Sequence, residues 1–227
     1  MTVVSIEMGA LGSVSALLER PPGAWLIYVL AHGAGAGMRH KFLESMAASL
    51  ADRGVATLRY QFPYMEAGLK RPDSPRVAEA AVEAAVRRTA ESTPDLPIIA
   101  GGKSFGGRMT SGAAARGLLP GVRGLAFLGF PLHPPGQPGI QRADHLDQVN
   151  VPMLFLQGTR DTFAKLDLLE PVCRRLDPRA TLRLIEGGDH SFSVPKSSGR
   201  SASGVLSELA DTLVSWARPL VPGTVPA

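Results

Sequence analysis

Short apolar runs, many of them β-branched, alternate along this chain with longer Ala-rich stretches of helical period. Few architectures accept that pattern, and the one that fits is a mostly parallel sheet crossed by helices on both faces. Strands are predicted at 3–8, 14–19, 25–31, 55–60, 97–101, 124–129, 152–157 and 181–185, and helices at 41–52, 75–90, 105–116, 163–176 and 205–216. The middle strands are nearly continuous hydrophobic runs, as strands covered on both faces should be, whereas the first two are polar enough for an edge hairpin. In the helix at 75–90, Val77, Ala80, Ala81, Ala84, Ala85 and Arg88 alternate with Glu79, Glu83 and Arg87, which predicts a small-residue face that packs closely on a sheet. The fold class is therefore α/β.

A chain of 227 residues fits one domain. That domain is expected to span 1–220, with 221–227 a frayed tail. The Pro- and Gly-rich stretch 131–141 is too short for a separate lid domain, so a site near it should be open, and 195–204 reads as a mobile loop. An apolar fraction of 44% with 19% charged residues implies a packed core. The formal charge of +4 is spread over single residues and pairs such as Arg87-Arg88 and Arg174-Arg175, without the concentrated basic face that nucleic-acid binding needs. Cys173 has no second cysteine to pair with and falls in a helical stretch, where a small buried side chain is expected. The N-terminus lacks a basic start and an unbroken apolar core, and no apolar run approaches the roughly 18 residues of a membrane span, so a soluble cytoplasmic protein is expected.

Chemistry enters with Gly102-Lys103-Ser104-Phe105-Gly106, a Gly-x-Ser-x-Gly motif placed between a predicted strand and a predicted helix. That context makes a nucleophile elbow: the sharp turn holds serine in a strained conformation, and the flanking glycines remove β-carbons that would collide. The helix beginning at Phe105 points its first amides at the same space. A phosphate-binding loop is the rival reading, because Gly102-Lys103-Ser104 mimics the end of Gly-x-x-x-x-Gly-Lys-Ser/Thr. The required first glycine is Pro97, however, and the residues between belong mainly to an apolar strand.

A serine nucleophile needs a histidine base, and the base needs a carboxylate to fix its tautomer. Asp161, in Gly158-Thr159-Arg160-Asp161, follows one predicted strand, and His190, in Gly187-Gly188-Asp189-His190, follows the next. Both stand beyond strand carboxyl ends, where this architecture collects its functional groups, and the order Ser, Asp, His is the expected one. Asp161 could alternatively cap the helix beginning near Phe163. Asp189 is a rival acid that reads better as a turn former, and His133 and His145 read as surface residues. Oxyanion donors are expected from the amide of Phe105 and from the loop His32-Gly33-Ala34-Gly35-Ala36-Gly37, with Ala34 the first choice and His32 structural. Arg59, Tyr60, Gln61, Phe62 and Tyr64 either line the pocket or pack the sheet's edge.

Together the His-Gly-Ala-Gly loop, the Gly-Lys-Ser-Phe-Gly-Gly-Arg elbow, Gly-Thr-Arg-Asp and Gly-Gly-Asp-His resemble the α/β-hydrolase superfamily over nearly the whole chain. Within it the chain looks like the compact dienelactone-hydrolase-like group, and the elbow is similar to that of a subgroup related to a testis-expressed protein and a chromatin-complex subunit. The resemblance implies an open, lidless scaffold. Serine stands at 104 where dienelactone hydrolases proper use cysteine, which tells against lactone cleavage. The expected activity is hydrolysis of a small acyl substrate such as an ester, needing no metal or organic cofactor, with Ser104 as nucleophile, His190 as base and Asp161 orienting it. A hydrolase-like interaction module with a vestigial site is the other reading.

Overall fold

Every residue of the run Leu26–Ala31 is buried, and this strand stands inside the sheet with neighbours on both sides. The computed structural model describes residues 1–134 and 136–221. The strands are β1 (Thr2–Glu7), β2 (Ser13–Glu19), β3 (Leu26–Ala31), β4 (Val55–Tyr60), β5 (Ile98–Lys103), β6 (Val122–Leu128), β7 (Met153–Gly158) and β8 (Ala180–Ile185). They form one sheet in the order β1-β2-β4-β3-β5-β6-β7-β8. β1 and β2 make the expected antiparallel hairpin, β2 pairs antiparallel with β4, and all pairs from β4 to β8 are parallel.

Alternation along the strands sends side chains to two cores. On one face Leu26, Tyr28, Leu30, Leu154 and Leu156 pack beneath α1 (Lys41–Ala51) and α6 (Ala202–Ala217). The one-turn helix α2 (Pro63–Glu66) follows β4 and is too short to show a periodic signal. On the other face Ile27, Val29, Phe127, Met153 and Phe155 pack against α3 (Pro75–Ser92), α4 (Phe105–Ala115) and α5 (Leu166–Arg175).

The buried side of α3 keeps Ala81, Ala84 and Ala85 of the expected face but is otherwise shifted. Ala78, Ala81, Val82, Ala85 and Val86 are enclosed, and so is Glu79, whereas Val77 and Ala80 are only half-buried. Glu79 is drawn inward because Gly112 of α4 offers no side chain: a β-carbon built there would lie 2.5 Å from Glu79 Oε1. Its other oxygen accepts a hydrogen bond from Arg116 at 2.8 Å. α5 starts three residues later than predicted, because the chain before it shapes the loop that carries Asp161. The stretch 195–204 is more ordered than a mobile loop, since Lys196–Ser198 forms a short turn and Ser201 caps α6. Of the expected tail only Val221 is described, and it is buried; the rest lies outside the described residues. Cys173 is buried, and burial pushes its thiol up to about 12, leaving it chemically quiet.

No separate lid lies over the carboxyl edge of the sheet among the described residues; the next element after β6 is the short 3-10 helix Gln141–Gln148, ahead of β7. No described helix is long and apolar enough to cross a membrane.

Candidate active site

β5 and α4 meet at Ser104, whose backbone sits at φ 50° and ψ −114°, a region costly for any residue with a side chain. The strain persists because the neighbours enforce it. A β-carbon at Gly102 would lie 2.3 Å from the Ala31 carbonyl, and one at Gly106 would lie 2.6 Å from that of His32. Only glycine lets β5 and α4 approach β3 this closely. Ser104 stands at the N-cap of α4 but spends no side-chain bond on capping, so its Oγ is left for a partner outside the helix. The phosphate-loop alternative fails here, since Gly101 and Gly102 are buried inside the sheet.

Ser104 Oγ lies 2.8 Å from His190 Nε2, and His190 Nδ1 lies 2.7 Å from Asp161 Oδ2. The Asp161 side chain is fully enclosed. Its Oδ2 also accepts from Gln157 Nε2 at 2.5 Å, and its Oδ1 from the Phe163 amide at 2.8 Å. An ionised carboxylate only accepts, so the proton between it and His190 belongs to Nδ1, and Nε2 is left to accept from the serine hydroxyl. The ring of Phe163 stacks on His190 with centroids 4.2 Å apart, fixing the imidazole plane. This chain of bonds can remove the serine proton as Oγ attacks a carbonyl carbon and return it to a leaving group.

A family model described as an α/β-hydrolase domain matches residues 25–218. The chain belongs to the α/β-hydrolase family. Solved structures similar to this hydrolase share its fold at low identity. An α/β serine hydrolase homologue from Coxiella burnetii aligns at TM-score 0.76 and 20% identity, covering 96% of this chain and 97% of the other. A dienelactone hydrolase from Anabaena variabilis aligns at 0.75 and 21%, covering 95% of each. A lidless α/β serine hydrolase from Xanthomonas campestris aligns at 0.74 and 19%, covering 99% of this chain and 96% of the other.

In this hydrolase the loop after β3 runs beside the nucleophile, with Gly33 placed so that an added β-carbon would lie 3.8 Å from Ser104 Cβ. The amides of Ala34 and Phe105 donate to no group among the described residues. His32 is buried and held between two backbone groups: Nδ1 meets the Gly33 carbonyl at 2.7 Å and Nε2 accepts from the Phe62 amide at 3.2 Å. Burial pushes its pKa down to about 4, so it is a neutral brace.

Residues 59–64 do not line the cavity. Instead Tyr64 Oη accepts from the Gly35 amide at 2.8 Å, Gln61 Oε1 accepts from the Met38 amide at 2.9 Å, and Phe62 packs edge-on to His32 and Phe105. They support the loop from behind, a role that only the tertiary arrangement reveals. Asp189 ties its own turn, with Oδ1 accepting from the amides of Ser191 and Ser193 at 2.8 and 2.9 Å. His133 and His145 depart from their expected surface positions. His133 is buried because its amide bonds the Phe163 carbonyl beneath the Asp161 loop, and His145 is half-buried with Nε2 2.7 Å from Ser111 Oγ.

Ser104 and His190 face a cavity of about 300 Å³ whose apolar wall is built by Ala34, Ala36, Phe42, Leu43 and Phe163. Among the described residues no three His, Cys, Asp or Glu side chains are grouped as a metal ion would require.

Proposed function

We propose that this α/β-hydrolase is a serine hydrolase that cleaves an ester or related acyl bond in a small molecule through an acyl-enzyme intermediate. The observation that carries the reading is the unbroken line from Ser104 Oγ through His190 to buried Asp161, at 2.8 and 2.7 Å, opening on an apolar cavity. Ser104 attacks the substrate carbonyl, His190 takes the proton and delivers it to the leaving alcohol, and water repeats the cycle on the acyl-enzyme. The imidazolium formed on the way is stabilised by Asp161. The amides of Ala34 and Phe105 receive the oxyanion, and they are available because no bond among the described residues uses them.

The test is hydrolysis of p-nitrophenyl esters of graded acyl length by the wild type and Ser104→Ala, with fluorophosphonate labelling alongside. The expected result is stoichiometric labelling of the wild type and a loss of at least about 10³-fold in kcat for the variant. Activity unchanged in Ser104→Ala refutes the reading. A serine inert to the fluorophosphonate favours an interaction module built on a hydrolase scaffold.

A further inference from the structure

The side chain beside the nucleophile carries a charge that the reaction outlined above leaves unused. Lys103 closes β5, one residue before Ser104, and its stem forms part of the cavity wall. Its ammonium donates to the main-chain carbonyl of His190 at 2.5 Å. Among the described residues no carboxylate lies within ion-pair distance of it. A half-buried cation without a direct counterion is costly, and an apolar side chain would fill the same volume at lower cost.

The surroundings nevertheless make room for it. Gly129, at φ 72°, leaves the space that Nζ occupies: a β-carbon there would lie 3.0 Å from Nζ, 3.5 Å from the His190 carbonyl and 3.6 Å from Asp161 Oδ2. Nζ also stands 5.4 Å from the centre of the Phe192 ring, and Phe192 adopts the left-handed φ of 62°. The charged and titratable groups that face the ammonium are Asp161 from the loop after β7, with Asp189 and His190 from the loop after β8.

We infer that Lys103 is a positioning residue whose ammonium clamps the backbone of His190, locking the loop that bears the base to the strand that bears the nucleophile. The inference rests on the serine-hydrolase reading of the site. The clamp acts through the 2.5 Å bond, so rotation or retreat of the His190 loop would have to break a charge-assisted hydrogen bond. Burial pushes the ammonium down to about 8, partly offset by Asp161 and Asp189. Sign follows directly: below that value the clamp is charged and strong, and above it a neutral amine donates weakly.

The experiment compares kcat and KM from pH 6 to 10 for the wild type, Lys103→Met, Lys103→Arg and Ser104→Ala on one p-nitrophenyl ester, with spontaneous hydrolysis subtracted and melting temperatures recorded. The wild type is expected to lose kcat on the alkaline side with a midpoint near 8. Lys103→Met is expected to lower kcat roughly 10- to 100-fold with little change in KM and to show no alkaline limb, since the truncated side chain has nothing to titrate. Lys103→Arg retains a charge at every pH tested, so its alkaline limb should move beyond the range. A role in packing alone would lower the melting temperature without moving the limb. The inference is overturned if Lys103→Met keeps the wild-type limb and kcat. Should that variant fail to fold, an unmoved limb in Lys103→Arg overturns it equally. Wild-type activity that does not depend on Ser104 overturns the hydrolase reading and this inference with it, whereas Ser104-dependent activity indifferent to Lys103 overturns this inference alone.

Discussion

Replacing Asp161 by Asn changes one atom in a site where every neighbour is a donor. Oδ2 receives Gln157 Nε2 and His190 Nδ1, and Oδ1 receives the Phe163 amide. An asparagine must present its NH₂ to one of these two positions. If the NH₂ takes the Oδ2 position, His190 must accept at Nδ1 and carry its proton on Nε2, where it can no longer take the proton of Ser104. If the NH₂ takes the Oδ1 position, it opposes the Phe163 amide, and a buried donor left unpaired costs about 1–3 kcal/mol. The second arrangement keeps the tautomer but loses the charge facing the imidazolium. At the 2.7 Å separation seen here, Coulomb's law with an effective dielectric constant of about 20 gives an attraction of roughly 6 kcal/mol. Part of this survives in the amide dipole, so the net loss should be about 4–5 kcal/mol, equivalent to roughly 10³- to 10⁴-fold in kcat. The control is Asp189→Asn. Asp189 uses a single oxygen for both its amide partners, and asparagine keeps that oxygen, so kcat should stay within a few-fold. Steady-state hydrolysis of a p-nitrophenyl ester by both variants decides the matter. Asp161→Asn within tenfold of the wild type, or Asp189→Asn as the more damaged of the two, would refute the assignment of Asp161 as the acid partner.

Two further outcomes follow from neighbouring groups. Phe42, stacked on Phe192 with centroids 5.8 Å apart, lines both the cavity at Ser104 and a second cavity of about 220 Å³ whose wall includes Val194, Val205, Leu206 and Leu209. Phe42→Ala should join them and raise kcat/KM for longer acyl chains relative to acetate by about tenfold or more; an unchanged ratio across a series of esters would refute it. His32 stays neutral in the fold down to about 4, whereas the unfolded chain binds its proton near 6.5. Stability contributed by the neutral form is therefore complete above about 6.5 and is lost as the pH falls towards 4, by up to about 3 kcal/mol. Urea titrations should show that slope in the wild type and a shallower one in His32→Asn, and equal slopes would refute it.

What could be read from the chain is what depends on local pattern. β3, β5 and β7 are buried on both faces, so their apolar runs announced them, and the ends of β5, β7 and β8 then placed Ser104, Asp161 and His190 along one edge. Features that depend on a distant partner were illegible. Glu79 turns inward only because Gly112 lies opposite, and Tyr64 matters only because the Gly35 amide reaches its hydroxyl. His133 is enclosed by a loop thirty residues further on, to which its own amide bonds. In the sequence Lys103 reads as a spacer of the elbow or the end of a phosphate-loop look-alike, because nothing in its neighbours says that the side chain runs back towards His190.

The open carboxyl edge of the sheet bears on how the proposed serine hydrolase would meet oily substrates. With no flap to displace among the described residues, the route to Ser104 is as accessible in plain buffer as beside a droplet or micelle. Velocity should therefore follow the concentration of freely dispersed molecules and level off, rather than jump, when the substrate begins to aggregate.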